Sequence, residues 1–233
     1  MASTRRTAIV IGTSFLITHV TSVVGMVLYG PILTSTDYTA HLSGPGASGG
    51  ALLGALLEVI LSLAIVGTGV AFFPVIRRLG EGMALGYAAL RTLEAAVIAV
   101  GVTPLIAAVA LAQAPEAAGS AGLVQALAAV HNWTFIVGPG LICPANTVVL
   151  AAVLFRSRLV PRVIPVLGFV GAPLVFALNA WQVLTLTPQA PAWAAAAVVP
   201  IFAWEVSLAV YLIVKGFRPA PAQSGRVAQA VLA

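Results

Sequence analysis

The sequence predicts an all-α integral membrane protein, a bundle of six transmembrane helices with both termini on the cytoplasmic side. Three observations carry this. Only 7% of the 233 residues are charged and 61% are hydrophobic, with a mean hydropathy of +1.08. A water-soluble domain needs about 25% charged residues to cover its surface. Apolar stretches repeatedly reach the ~20 residues that cross a hydrocarbon core. Finally, of the eleven basic residues all but Arg91 lie at the ends of apolar stretches, in alternate connections, the pattern that orients helices in a bilayer.

The first span is expected over residues 7–29, stopped by Gly30-Pro31. Arg5-Arg6 ahead of it resembles a signal peptide, but the run is too long for an h-region and lacks a small-x-small cleavage site, so a retained helix is expected. Residues 31–50 contain Asp37, His41 and Ser43-Gly44-Pro45-Gly46, an exposed loop by composition. The second span, 51–73, ends at Pro74 and Arg77-Arg78. The third, 83–111, follows Glu81-Gly82 and contains Pro104; a polar stretch with Pro115 and Glu116 comes after it.

Residues 121–155 are too long for one crossing, because a helix of that length extends ~50 Å against a ~30 Å core. A break is expected at His131-Asn132, with an interfacial helix before it and the fourth span over 133–155. Gly138-Pro139-Gly140 and Pro144 should kink that span, since each proline removes a backbone donor. The fifth and sixth spans are expected over 165–186 and 192–214. Together these make a single transmembrane domain over 1–217, with 218–233 a flexible cytoplasmic tail.

The orientation follows from the connections. The N-terminus, the 74–83 and 156–164 loops and the tail hold Arg5, Arg6, Arg77, Arg78, Arg156, Arg158, Arg162, Lys215, Arg218 and Arg226. The 30–50, 112–122 and 187–191 connections hold none, so both termini are expected inside at the inner (plasma) membrane. Basic residues placed this way make no phosphate-binding face, so nucleic acid is not an expected partner.

A single Cys143 excludes an intramolecular disulfide and a cysteine-rich metal site. No His-x-x-x-His or Glu-x-x-His helix pattern, Gly-x-Ser-x-Gly elbow, phosphate loop or dinucleotide fingerprint occurs, so neither metal nor cofactor is expected.

What remains informative is the polar content of the spans, because an ionisable group there costs ~2.5–3.5 kcal/mol on insertion scales. Glu58, Arg91, Glu94 and Glu205 are the charged members, and His19, His131, Asn132, Asn146, Asn179 and Gln182 the softer ones. By helical rise, Arg91 and Glu94 lie roughly 12–17 Å and Glu205 about 14 Å from the cytoplasmic end, with His19 and Asn146 also near the midplane. Glu58, His131, Asn132 and Asn179 fall in the outer half. Arg91 and Glu94 share a face at i, i+3, with Tyr87 one turn below. Glu58 shares a small-residue face with Gly54 and Ser62.

A central polar cavity is therefore expected, lined by Glu58, Tyr87, Arg91, Glu94, Asn146 and Glu205, with His19, His131, Asn132 and Asn179 as secondary members. It could hold a proton, an amine or a polar headgroup; the competing reading is that Arg91 is neutralised by Glu94 or Glu205 and locks the bundle. Three buried carboxylates against one arginine imply that at least one is protonated or matched by a bound cation.

Glu81-Gly82-Met83-Ala84-Leu85-Gly86-Tyr87 with Arg91 and Glu94 resembles the central signature of the bacterial membrane family catalogued as domain of unknown function 4386. Asn132-Trp133-Thr134-Phe135 leading to Gly138-Pro139-Gly140 and Asn146, Ser157-Arg158-Leu159-Val160-Pro161, and Glu205 through Lys215-Gly216-Phe217 are similar to it too. The resemblance runs from about Arg5 to Phe217, with a loose fit over 31–50. It implies a single-domain multi-span protein and no particular activity.

The expected function is thus binding or transport of a small molecule or lipid at a midplane polar site. The alternatives are an intramembrane enzyme using Glu94 or Glu205 as acid and base on a lipid, and a non-catalytic scaffold or sensor subunit. Expected partners are the lipid bilayer, such a ligand, and a second copy in a homodimer, because six short-looped spans enclose little volume.

Overall fold

The computed structural model describes residues 2–33, 47–114, 117–187, 191 and 193–218. Among them all regular structure is helical, and six helical stretches are long and apolar enough to cross a membrane. They comprise α1 (Ala2–Leu33), α2 (Ala47–Ile76), α3 (Glu81–Ala112), the compound stretch α4 (Ala121–Val137) and α5 (Cys143–Ser157), α6 (Val163–Thr185) and α7 (Ala194–Val214). The chain is a multi-pass membrane protein. Asp37, His41, the Ser43–Gly46 cluster, Pro115, Glu116, Ala192 and the tail beyond Arg218 lie outside the described residues.

Two expected helix stops are not stops. Helix α1 continues through Gly30-Pro31 to Leu33, and α2 takes Pro74 into its last turn. A proline near a helix C-terminus forfeits one hydrogen bond but need not end the helix when the surrounding packing holds it.

The fourth crossing differs more. Helix α4 runs unbroken through His131 and Asn132, so the expected break does not lie there. The irregularity lies at Gly138–Ile142, a π-turn in which the Cys143 amide donates to the Gly138 carbonyl. Pro139 and Pro144 explain its position: each lacks an N–H and crowds the carbonyl four residues before it, and the wider five-residue turn relieves both conflicts. Backbone chemistry, not side-chain polarity, placed the break.

Each helix packs on its sequence neighbours, α5 joins both α3 and α6, and α7 returns against α1, closing a ring. That closure is tight at Gly12, where a Cβ would stand 2.6 Å from the Ala209 carbonyl oxygen. Arg5 fastens the same seam by donating to the carbonyls of Leu212 and Ile213 at 3.0 and 2.6 Å. A basic side chain is well placed on these orphan C-terminal carbonyls. The Arg218 amide donates to the Leu159 carbonyl at 2.8 Å, and the Phe72 and Phe217 rings meet edge to face. The start of α1, the end of α2, the α5–α6 connection and the end of α7 therefore gather at one end of the bundle.

At that end a single core joins α1, α2, α3, α5, α6 and α7 around Phe15, Phe72, Tyr87, Leu150, Trp204 and Leu208. Toward the other end the core divides. Tyr29, Ala51, Leu105, Ala108 and Val124 unite α1 to α4, while Leu178, Ala194 and Ala197 form a separate contact between α6 and α7. Large apolar side chains such as Val27, Leu63, Val100, Val163 and Val199 face outward, as lipid-facing positions should.

A candidate functional site at the centre of the ring

Polar side chains from α1, α2, α3, α5 and α7 meet where the single core gives way to the divided one. Arg91 organises them. Its Nε donates to Thr68 Oγ1 at 2.9 Å, and Thr68 donates onward to the Ile65 carbonyl at 2.7 Å, so that hydroxyl both accepts and donates. Arg91 Nη1 lies 3.0 Å from Glu94 Oε2 and 4.0 Å from Glu205 Oε1, and the guanidinium sits 5.4 Å from the centre of the Phe15 ring. Asn146 Nδ2 donates to the same Glu94 oxygen at 2.7 Å. Gly138 brings the fourth crossing close to α3, since a Cβ there would be 3.4 Å from the Glu94 carbonyl oxygen.

Glu205 is held differently. Its Oε2 faces His19 Nε2 at 3.4 Å, and its Oε1 is 4.0 Å from both the Cys143 thiol and Arg91 Nη1. The other ring nitrogen of His19 meets the Phe15 carbonyl at 2.9 Å, and a carbonyl only accepts, so Nδ1 carries a hydrogen. A neutral His19 would then turn a bare lone pair toward a carboxylate. The two side chains keep 13% and 15% of their exposure, against 2% and 4% for Arg91 and Glu94, so the cluster is reached from the α1–α7 side.

Of the six residues expected to line the cavity, Arg91, Glu94, Asn146 and Glu205 come together directly. Tyr87 is buried below them, edge to face with Phe72 at 5.8 Å. Glu58 does not join them. Its oxygens lie 3.0 and 3.1 Å from His131 Nε2, in a second pair bridging α2 and α4. Of the secondary residues, His19 enters the central cluster and His131 the outer pair. Asn179 donates to the Val175 carbonyl and packs on Gly140, where a Cβ would collide with its side chain. Asn132 is half-buried on α4, next to His131.

Three participants escaped the sequence reading. Thr68 and Cys143 gave no signal, because single Thr and Cys residues are ordinary in apolar helices. Phe15 could have been found only by knowing which helix faces Arg91. Among the described residues no group of three or more His, Cys, Asp or Glu side chains is placed to hold a metal ion.

The family described as Domain of unknown function (DUF4386) matches residues 10–216. No curated protein and no solved structure matches the chain.

Proposed function

Because this chain belongs to the family of domain of unknown function 4386, whose description names no activity, we propose its function from the central cluster: it binds, and carries or senses, an amine-bearing small molecule or lipid at Glu205. One contrast carries the reading. Glu94 Oε2 accepts from both Arg91 and Asn146 at 3.0 and 2.7 Å, whereas the nearest cationic groups to Glu205 stand 3.4 and 4.0 Å away and its side chain stays partly exposed. An incompletely paired carboxylate inside a membrane is costly, and an ammonium group arriving from the α1–α7 side would complete it.

Both termini belong on the cytoplasmic side of the inner membrane in this reading, supported by the basic residues at the end where the termini meet. A homodimer belongs to it as well, and the mass in detergent by light scattering tests that directly.

The binding test is thermal melting of the purified chain in detergent against alkylamines, polyamines and phosphatidylethanolamine. A ligand at 100 times its Kd stabilises the folded form by about 2.7 kcal/mol, several degrees of melting temperature. The shift should vanish in Glu205→Gln and persist in Ser62→Ala. If no amine moves the wild type, or Glu205→Gln responds equally, the proposal is wrong.

A further inference from the structure

The second polar site contains more polar groups than its own contacts satisfy. Glu58 and His131 are completely buried. Four buried side-chain atoms have no hydrogen-bond partner among the described residues: Tyr29 Oη, Ser62 Oγ, Tyr87 Oη and His131 Nδ1. Three of the four belong to residues near Glu58. Ser62 is one turn along the same face of α2, Tyr29 interacts with the Glu58 carboxylate with its ring 5.1 Å from that of His131, and His131 is the direct partner, whose Nδ1 faces away from Glu58.

Orphaned polar atoms are rare in folded interiors and usually mark an ordered water or ion. Buried waters typically bind about three polar partners, and Ser62 Oγ and His131 Nδ1 each leave a place for one. The alternatives are poor, because an unmade hydrogen bond costs about 1–3 kcal/mol per group.

The histidine geometry adds a second constraint. With Nε2 3.0 and 3.1 Å from the two Glu58 oxygens, one hydrogen must lie between ring and carboxyl, whichever carries it. Nδ1 is then either a bare acceptor or an unused donor, and a water serves in both cases. Among the described residues α1 contributes Tyr29 and α4 contributes His131 to this pair, and the apolar Leu61, Ile65, Ala95 and Ile98 pack α2 against α3 on the adjoining stretch.

We propose that Glu58, His131, Tyr29 and Ser62 form a second binding site, sealed in the half of the bundle away from the basic loops, which holds one shared proton and bound water. The site lies on α2 between the central cluster and the end of the bundle opposite the basic loops. Ser62 sits between Glu58 and the Thr68 that accepts from Arg91. The site does not depend on Glu205 binding a ligand.

Two measurements on the full chain in lipid nanodiscs test it. With nitrogen-15 histidine, the wild type should show a far-downfield proton resonance coupled to a His131 nitrogen, assigned by its loss in His131→Asn. It should also disappear in Glu58→Gln. Its absence from the wild type, or its survival in Glu58→Gln, overturns the shared proton. Infrared spectra in D2O should contain a bound-water O–D band that shifts with oxygen-18 water. Ser62→Ala, a small change unlike the charge variants, should lose that band while melting near the wild type. If wild type and Ser62→Ala give the same isotope-sensitive spectrum, the water site is wrong.

Discussion

Two glutamate–histidine pairs cross helix boundaries in this bundle, built from the same side chains and held in opposite ways. Glu58 and His131 meet at 3.0 and 3.1 Å with both side chains sealed, whereas Glu205 and His19 stand 3.4 Å apart and partly open. Packing accounts for the difference. The first pair lies where α1 to α4 share a core, with Tyr29 and Phe135 rings against His131. The second lies at the α1–α7 seam, where the core divides and His19 leans on the outward-facing Phe202 ring at 4.8 Å. A tight buried pair secures the helices it joins. A loose, reachable one keeps interaction energy in hand for something that arrives later.

The comparison can be broken most severely at the residue between the two. Arg91→Met should leave Glu94 buried without its cation and cost about 3–5 kcal/mol, read as a collapse of melting temperature or failure to purify as a monodisperse species. Next, Glu58→Gln should destabilise by about 1–3 kcal/mol, since it unbalances a sealed partner, while Glu205→Gln should change the melting temperature little. If Glu205→Gln is the more damaging, the assignment of roles is reversed. Double-mutant cycles sharpen the point: the coupling between Glu58 and His131 should exceed about 1 kcal/mol, and that between Glu205 and His19 should stay below about 0.5 kcal/mol. The smallest effect lies far from either pair. Leu186 closes α6 with φ 53° and is largely exposed. Leu186→Gly relieves a left-handed conformation worth about 1–2 kcal/mol and returns part of that to unfolded-chain freedom. A net gain of about 0.5 kcal/mol should appear as a slightly raised melting temperature.

How much of this was written in the sequence varies with the range of the interaction. Span number and approximate position follow from length and hydropathy, which are local, and they were legible. So was the Arg91–Glu94 pair, because i, i+3 spacing places two residues on one face whatever the fold. The Glu58–His131 pair was not, since it depends on which face of α4 turns toward α2, and no spacing within either helix encodes that. Its absence misled the reading twice. It sent Glu58 to the central cavity, and it made His131-Asn132 look like a polar break when His131 was in fact paired through Nε2 with a carboxylate from another helix. Counting three carboxylates against one arginine also omitted the histidines, one of which stands beside each of Glu58 and Glu205.

The π-turn at Gly138–Ile142 has a consequence for insertions and deletions. An α-helix advances about 100° per residue, so losing one residue at Val149 would rotate everything after it and carry Arg156 and the α5 C-terminus off their faces. The π-turn is a helix that has already absorbed one residue more than an α-helical path needs. Deleting Leu141 would keep Asn146 facing Glu94 and His131 facing Glu58, while restoring the crowding that Pro139 and Pro144 impose on an α-helical path. The fourth crossing thus has one place where its length can change without changing its phase.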